Sequence, residues 1–271
     1  MIAVELRKLL LSRRTWVTIL LIDALPTLVG VLLAVTDLGP RPGTGPAFLS
    51  AVLTDGTLFP LAALAIVLPL FLPIAVAVTA GEAIAGEAQQ GTLRYLLVRP
   101  VGRTRLLVAK LVGVMVFVVL TVLVVAATAY VVGVVLLGSE DVTTGATSVS
   151  GSSLSTQELA GRTMLALAYA MLCMLGVAAI ALFLSTVVTT PLAAALGTLG
   201  VLVTSTVLLT LDAADVLQPY LPTRYWLSFV DLFRDPILWR DVERGVLLQI
   251  VYVVVFLGAA WANFATKDIT D

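Results

Sequence analysis

Few side chains in this sequence have the chemistry of a catalyst. The 271-residue chain contains no histidine and a single cysteine, Cys173, which lies in an apolar run. The lack of histidine excludes histidine metal ligands and the Ser-His and Cys-His nucleophile arrangements. We therefore predict no catalytic residue and no metal site, and we predict that the chain is not an enzyme.

Asp23 is the one ionisable residue near the middle of an apolar segment. A charged side chain at the centre of a bilayer costs about 3 kcal/mol or more unless it faces protein or water. Asp23 is therefore either a cation, proton or translocation-pathway site, or a polar group hydrogen-bonded to a threonine or serine of a neighbouring helix. The sequence leaves both interpretations open.

The overall composition is that of a membrane protein. The chain is 60% hydrophobic and 12% charged, and its mean hydropathy is +1.08. A soluble domain carries roughly a quarter charged residues and a little under half apolar ones. The net charge is -1, so no strong positive field favours nucleic acid as a partner.

Six apolar segments are each long enough to cross a bilayer, which takes about 20 residues. They are 16–35, 58–80, 107–137, 164–184, 192–211 and 246–264. Pro60, Pro69 and Pro73 predict a kink in the second, and Pro191 suits the first turn of the fifth. We predict an all-α integral membrane fold in which residues 1–271 form a single transmembrane domain.

Two segments outside these spans have an amphipathic pattern. Residues 1–15 carry polar side chains on one helical face, at Glu5, Lys8, Ser12 and Thr15. This spacing predicts an N-terminal helix that lies in the membrane interface. Residues 212–245 interleave aromatic and charged residues, which is typical of a helix at headgroup depth. That external amphipathic segment is either an anchor that covers the bundle or a lid that contacts an extruded substrate.

Basic residues predict the orientation of the chain, since cytoplasmic loops carry more of them. With a cytoplasmic N-terminus, ten of the 16 lysines and arginines lie in cytoplasmic segments and six lie outside. Five of the ten lie close together, at Arg94, Arg99, Arg103, Arg105 and Lys110. We therefore predict cytoplasmic N- and C-termini and a cytoplasmic loop over residues 81–106. The charge bias alone would explain these arginines.

The loop over 81–106 carries helix and turn signals. Thr92 follows Gly91 and suits the N-cap of a short helix over 93–98. Pro100 predicts that this helix ends by residue 99, because the residue before a proline avoids the helical region. A structured and partly apolar loop of this kind suits docking into a groove on another protein.

This loop resembles the segment between the second and third spans of ABC-2-type transporter permeases. That family's pattern is an acid, Gly-Thr-Leu, two aliphatic residues, a proline, a basic residue and a lysine that enters the next span. The matching residues are Glu87, Gly91, Thr92, Leu93, Leu96, Leu97, Pro100, Arg103 and Lys110. The N-terminal segment resembles the family's connecting helix, with the charged residues Glu5, Arg7, Lys8 and Arg13. The close of the chain resembles the family's C-terminus at Phe264, Lys267 and Asp268.

The resemblance implies a permease subunit that forms half of a transport pathway with a second copy or a paralogue. Each copy would dock on a cytoplasmic ABC ATP-binding subunit through the connecting helix and the loop, with the matching residues from Glu87 to Arg103 as the coupling site. The complex would be an exporter of a hydrophobic or amphipathic substrate, such as a drug or lipid, in a prokaryotic plasma (inner) membrane. Membrane lipid would surround it.

ATP is expected on another chain. No G-x-x-x-x-G-K-[ST] phosphate loop occurs in the sequence. We therefore expect ATP and Mg²⁺ on the partner ATPase and no cofactor on this chain. The alternative hypothesis is a secondary transporter or channel that works without ATP and uses Asp23. Such proteins usually carry several buried charges along a pathway, and here Asp23 alone qualifies.

Overall fold

The computed structural model describes residues 2–36, 48, 51–53, 55–91, 103–138, 146–147 and 153–266. The α-helices of these residues are α1 (Ile2–Leu11), α2 (Arg13–Thr36), α3 (Phe59–Val67), α4 (Phe71–Gln89), α5 (Arg103–Val132), α6 (Thr156–Val187), α7 (Pro191–Leu208) and α8 (Trp239–Thr266). A π-helical turn over Gly133–Leu137 extends α5. The two-residue strands β1 (Ala146–Thr147) and β2 (Ser153–Leu154) pair antiparallel.

Six of these helices are long and apolar enough to cross a membrane, namely α2, α4, α5 with its π-helical turn, α6, α7 and α8. Within the described residues, this confirms the predicted helical membrane fold with six membrane-length helices, to which the structure adds the two-residue strands. The helical hairpin between α6 and α7 also has the predicted start, because Pro191 occupies the first position of α7. The Thr190 hydroxyl caps α7 by accepting from the Ala193 amide at 3.4 Å.

The segment predicted as one kinked span over 58–80 is in fact two helices. α3 ends at Val67 and α4 begins at Phe71, with Pro69 between them. Proline has no N–H to donate to the carbonyl four residues earlier, so the hydrogen-bond ladder stops at this point. The prediction of a continuous span is therefore wrong, and α4 is the membrane-length part.

The predicted loop over 81–106 is helical at both of its ends. α4 continues to Gln89, and α5 begins at Arg103. Residues 81–89 are rich in Ala, Glu and Gln, which are good helix formers, so polarity here does not end the helix. The segment that joins α4 to α5 therefore runs only from residue 90 to residue 102, and we call it the α4–α5 connection.

α6 and α8 each begin earlier than predicted, since the corresponding spans were predicted over 164–184 and 246–264. α6 begins at Thr156, where a capping box forms between Ser155 and Glu158. The Ser155 amide donates to Glu158 Oε2 at 2.9 Å, and the Glu158 amide donates to Ser155 Oγ at 3.3 Å. Reciprocal bonds of this kind satisfy donors that the first helical turn leaves open. α8 begins at Trp239, before its apolar run.

Residues 212–238 form a cap over one end of the bundle. They fold into short 3₁₀ helices over Asp212–Ala214, Gln218–Tyr220 and Ser228–Phe233. The aromatic residues Trp226, Phe229 and Phe233 are buried. The Tyr169 hydroxyl donates to the Tyr225 carbonyl at 2.6 Å, and the buried Gln249 amide donates to the Pro222 carbonyl at 2.8 Å. The segment is therefore not the continuous helix that the sequence predicted, because it divides into short 3₁₀ helices, and its depth in the membrane stays a prediction.

The opposite end of the bundle carries α1, and we call it the α1 end. α1 contacts α5 there, and α6 lies centrally among α4, α5, α7 and α8. Arg103 at the start of α5 donates from Nη1 to the carbonyls of Phe264 and Ala265 near the end of α8. The first and last described helices of the chain therefore contact α5 at the same end of the bundle.

Candidate functional site

Lys110 is a buried lysine that joins three helices at the α1 end. Its side chain is 4% exposed, and Nζ donates to Glu5 Oε1 of α1 at 2.8 Å. Nζ also forms an ion pair with Glu87 Oε1 of α4, whose side chain is 13% exposed. Taking a lysine out of water costs several kcal/mol unless partners compensate, and the two carboxylates are those partners. We call Glu5, Glu87 and Lys110 the charge triad.

The sequence of α5 explains why this lysine points inward. Lys110 shares a helical face with Gly113, Val114 and Phe117, at spacings of three, four and seven residues. Val114 and Phe117 are buried. The same face approaches α1 closely, because a Cβ added at Gly113 would lie 3.9 Å from the Glu5 Cβ. A lysine at the membrane-boundary end of an apolar face therefore requires acids from the neighbouring helices.

A second ion pair joins α2 to α4. Arg14 Nη1 lies 2.5 Å from Glu82 Oε1, and the two side chains are 64% and 37% exposed. Exposed pairs contribute about 0–1 kcal/mol to stability, so this contact orients the helices more than it stabilises them. The partner of Glu82 therefore comes from the first turn of α2.

A serine hydroxyl fastens α4 to α6. Ser185 Oγ accepts from the amides of Ile84 and Ala85 at 3.1 and 2.9 Å, and it donates to the Gly81 carbonyl at 2.7 Å. The side chain is 1% exposed. A polar side chain inserted into a backbone hydrogen-bond ladder fixes a local bend in the helix. The last two turns of α4 are therefore held by α6 as well as by the charge triad.

Gly91 ends α4 in a left-handed conformation, with φ +67°. Its amide donates to the Ala88 carbonyl at 3.1 Å, and the Gln90 amide donates to the Gly86 carbonyl at 3.1 Å. These bonds satisfy carbonyls that a helix end leaves open, and glycine is the usual residue at this position because it has no Cβ. The glycine of the family-like motif therefore has a structural role in setting the exit of the chain from α4.

We expect Gly91→Val to lower the free energy of unfolding by about 1–2 kcal/mol, because a side chain is strained in the left-handed region. A Cβ at this position would meet nothing within 4 Å, so the cost is in the backbone alone. Gly91→Asn is the matched control, since asparagine tolerates this conformation, and it should cost much less. Unfolding midpoints in detergent measure both, and equal midpoints would contradict the assignment.

The other side of the α4–α5 connection is tied to α8. Arg103 donates from Nη1 to the Phe264 carbonyl at 3.1 Å and to the Ala265 carbonyl at 2.7 Å. An arginine at the last carbonyls of a helix also interacts favourably with the helix dipole. One turn away on α8, Trp261 donates from Nε1 to the Thr104 hydroxyl at 2.9 Å. Thr104 is thus a partner of α8.

The structure brings together some of the residues that the sequence singled out. Glu5 and Glu87 meet through Lys110, whereas Arg7, Lys8 and Arg13 of the predicted connecting helix are exposed. Six further predicted residues lie outside the described part of the chain: Thr92, Leu93, Leu96, Leu97, Pro100 and Arg99. The same holds for Lys267 and Asp268. Their roles stay predictions.

A cavity of about 420 Å³ opens beside the charge triad. α1, α2, α4 and α5 line it, together with Pro191 at the start of α7. The four polar residues that the sequence places on one face of the N-terminal helix all line this cavity, namely Glu5, Lys8, Ser12 and Thr15. The polar face therefore turns toward the other helices. Among the described residues, no group of three or more histidine, cysteine, aspartate or glutamate side chains is placed to hold a metal ion.

Asp23 lies away from this site, in the middle of α2. Asp23 is 8% exposed. Its Oδ1 atom accepts a hydrogen bond from the Thr128 hydroxyl of α5 at 2.6 Å. Asp23 is not among the described residues that line the cavity. The contact has the form that the second interpretation of Asp23 expected, a hydrogen bond to a threonine of a neighbouring helix.

Sequence reasoning missed the partners that make the site. The sequence predicts that Lys110 enters the third span, but it does not predict that the side chain is buried between two acids. Ser185 gave only a weak signal, one of two neighbouring hydroxyl residues within the otherwise apolar "LFLSTVV" before the hairpin. A stronger signal was available at Lys110, because a lysine in register with Val114 and Phe117 lies on a buried face and requires an acid.

Comparison with protein-family models matches residues 41–270 to one family, described as "Protein of unknown function (DUF2705)". The match covers well over half of the chain and includes α3 to α8. It begins after the residues of α1 and α2, so the charge triad has two of its three members inside the matched region. A search of curated proteins finds no significant match to the chain.

Proposed function

Because the chain belongs to the DUF2705 family, whose description assigns no activity, we propose a function from the chain's own residues. We propose that it is the membrane-spanning permease subunit of an ATP-driven transporter, similar to the ABC-2 type. A separate ATP-binding subunit would act on it through the α4–α5 connection and α1. Six membrane-length apolar helices support a multi-pass membrane subunit.

The observation that carries this proposal is the anchoring of both sides of the α4–α5 connection. On one side, the charge triad and Ser185 hold the end of α4. On the other side, Arg103 ties the start of α5 to the end of α8. A push on this connection would act directly on the end of α4 and the start of α5, which the rest of the bundle holds in place. ATP-driven transport from a separate subunit requires such an element.

The charge triad also connects the two elements that the partner would contact. Lys110 bonds Glu5 of α1 and Glu87 of α4 through the same Nζ atom. A movement of either helix therefore changes the ion pair of the other. Interfaces between packed elements tend to have discrete arrangements, so the triad is suited to report partner movement to α5.

The remaining parts of the proposal follow from the resemblance to ABC-2-type permeases. The chain would pair with a second copy or a paralogue to complete a pathway and would export a hydrophobic or amphipathic substrate. ATP and Mg²⁺ would be bound by the partner ATPase, with no cofactor on this chain. Both termini would be cytoplasmic, in a prokaryotic plasma membrane. The larger number of lysines and arginines in the segments predicted to be cytoplasmic, ten against six, supports this orientation.

The alternative, an ATP-independent transporter or channel that uses Asp23, has less support. The Asp23 carboxylate is engaged by Thr128, and it does not line the cavity at the α1 end within the described residues. A pathway residue would be expected to face an aqueous route.

Gentle purification from native membranes tests the proposal. We expect an ATP-binding protein with a phosphate loop to co-purify at about one copy per copy of this chain, as in a transporter built from equal numbers of permease and ATPase subunits. The readout is the identity and stoichiometry of the companions by mass spectrometry. Recovery of the chain alone under the mildest detergents would contradict the proposal and favour the Asp23 alternative.

Two matched replacements make this test specific to the α4–α5 connection. Replacing residues 93–99 with a Gly-Ser linker of equal length should abolish recovery of the ATPase while leaving the chain in the membrane. Replacing residues 139–145 in the same way should leave recovery unchanged, because that segment follows the far end of α5. Equal recovery with both replacements would exclude the connection as the docking element.

A further inference from the structure

The junction between α3 and α4 breaks the backbone hydrogen-bond ladder, and we call it the α3–α4 break. Pro69 and Pro73 carry no N–H, so the carbonyl four residues before each of them lacks its helical donor. Leu70 has φ −135° and ψ −60°, which lies outside the helical region. Among the described residues, neither the Leu70 amide nor the Pro69 carbonyl has a hydrogen-bond partner.

The α3–α4 break lies near the middle of the membrane. The first charged residue of α4 is Glu82, which pairs with Arg14 at the membrane boundary. From Glu82 back to Phe71, α4 rises about 16 Å, roughly half of the 30 Å hydrocarbon core. The start of α3 is level with the far end of α5, because a Cβ added at Gly133 would lie 2.8 Å from the Phe59 Cβ. The break is therefore between the two boundaries.

Hydrocarbon cannot satisfy the open backbone groups of the break. Irregular backbone occurs at membrane depth only where protein buries it or where it lines a water-filled cavity. This chain does not bury the break, because Pro69 is exposed and Leu70 is 55% exposed. The packing explains the exposure. α3 packs against α2 and α5, whereas α4 packs mainly against α6 and α7, so the junction is left between the two pairs.

Open hydroxyl groups indicate water in the cavity at the α1 end. Four hydroxyl side chains line that cavity, those of Ser12, Thr15, Thr18 and Thr79. Among the described residues, none of these four hydroxyls has a hydrogen-bond partner. A hydroxyl on an apolar helix commonly donates to the carbonyl of the preceding turn, as Thr198 does. The four open hydroxyls are therefore placed to bond water that enters from the α1 end.

One strip of α4 joins this cavity to the break. Glu82 and Val78 line the cavity. Ile74 continues their four-residue spacing, which keeps it on the same face, and Leu70 is the N-cap residue one turn further. Val78 and Ile74 are half-buried, so the strip is partly open. Beyond the break, all residues of α3 except Ile66 are buried. The strip is therefore open toward the α1 end and closed by α3 toward the cap.

We propose that a water-filled passage leads from the cavity at the α1 end along this strip to the α3–α4 break, where α3 closes it. Water in the passage bonds the Leu70 amide and the Pro69 carbonyl, which are the polar groups that a transported substrate meets in mid-membrane. As a substrate route, the passage rests on the proposed transport function, but its water content is tested separately. A break covered by lipid or by a second copy of the chain would hold no such water.

Thiol labelling in membrane vesicles detects this water. Cys173 is fully buried and is replaced by alanine, and Leu70→Cys is added. A thiol reacts as its thiolate, which forms in water and not in hydrocarbon, so a charged, membrane-impermeant methanethiosulfonate should label Leu70→Cys. Leu28→Cys is the matched control, since Leu28 is also 55% exposed and lies about 21 Å beyond Arg14 within the unbroken α2. Labelling at Leu70→Cys should be at least about tenfold faster.

The side from which the reagent enters decides where the passage is open. Gln90→Cys, at the exposed end of α4, identifies the α1 side of a vesicle, and Val216→Cys, at an 84% exposed position in the cap, identifies the opposite side. Leu70→Cys should be labelled only from the α1 side. Equal rates for Leu70→Cys and Leu28→Cys, no labelling of Leu70→Cys, or its labelling from the cap side would each overturn the proposal. None of these outcomes depends on whether an ATPase co-purifies.

Discussion

Lys110→Met should be among the most destabilising single substitutions in the chain, lowering the free energy of unfolding by about 3–5 kcal/mol. The methionine fills the volume of the lysine stem but leaves Glu5 and Glu87 without their shared partner. Both carboxylates are largely enclosed, at 23% and 13% exposure, so two like charges would face each other with little water between them. The midpoint of denaturant or thermal unfolding in detergent measures the effect.

Two controls separate the loss of charge from the loss of packing. Lys110→Arg keeps the positive charge and should lose much less stability. Adding Glu5→Gln and Glu87→Gln to Lys110→Met removes the two acids that faced the lysine and should restore most of the midpoint, because replacing a whole buried ionic cluster by neutral groups is often nearly neutral. If Lys110→Met unfolded at the wild-type midpoint, the charge triad would not hold α1 and α4 together.

Ser185→Ala should cost about 1–3 kcal/mol, the penalty for leaving buried backbone groups without a hydrogen-bonding partner. The hydroxyl accepts hydrogen bonds from the amides of Ile84 and Ala85 and donates one to the carbonyl of Gly81. Its removal should therefore also loosen the last turns of α4, which would appear as faster hydrogen exchange of the Ile84 and Ala85 amides. Unfolding midpoints and amide exchange in detergent provide the two measurements.

Thr198→Val is the matched control for Ser185→Ala. The Thr198 hydroxyl is also fully buried, but it donates only to the Ala194 carbonyl of its own helix, at 2.9 Å. Its loss removes no bond between helices and should cost less than Ser185→Ala, with no change in exchange on α4. Equal costs for the two variants would mean that the Ser185 bridge does not fasten α4 to α6.

The parts of the fold that local physics determines could be predicted from the sequence. Apolar segments of about 20 residues gave the membrane-length helices, and Pro191 marked the first turn of α7. The predicted helix boundaries are wrong where polar residues were assumed to end a helix. Residues 81–89 are polar enough to look like a loop, but their helix-forming residues continue α4 through the boundary to Gln89.

The candidate site could not be predicted because its partners come from distant parts of the sequence. Glu5 is 105 residues from Lys110, and Ser185 is 100 residues from Ala85. Periodicity places each residue on a face of its helix, but it does not tell which helix that face meets. The structure of residues 212–238 could not be predicted for a related reason. Aromatic residues interleaved with charges suit both a headgroup-depth helix and a folded cap, and only packing against Tyr169 and Gln249 separates the two.

Photo-cross-linking in native membranes tests whether a separate ATPase acts on the α1 end. A photo-reactive amino acid is placed at Gln90, an exposed residue at the end of α4, and in a second variant at Val216, which is 84% exposed in the cap at the opposite end. We predict a covalent adduct between this chain and a phosphate-loop ATPase from Gln90 and none from Val216. No ATPase adduct from Gln90, or equal adducts from both positions, would contradict the claim.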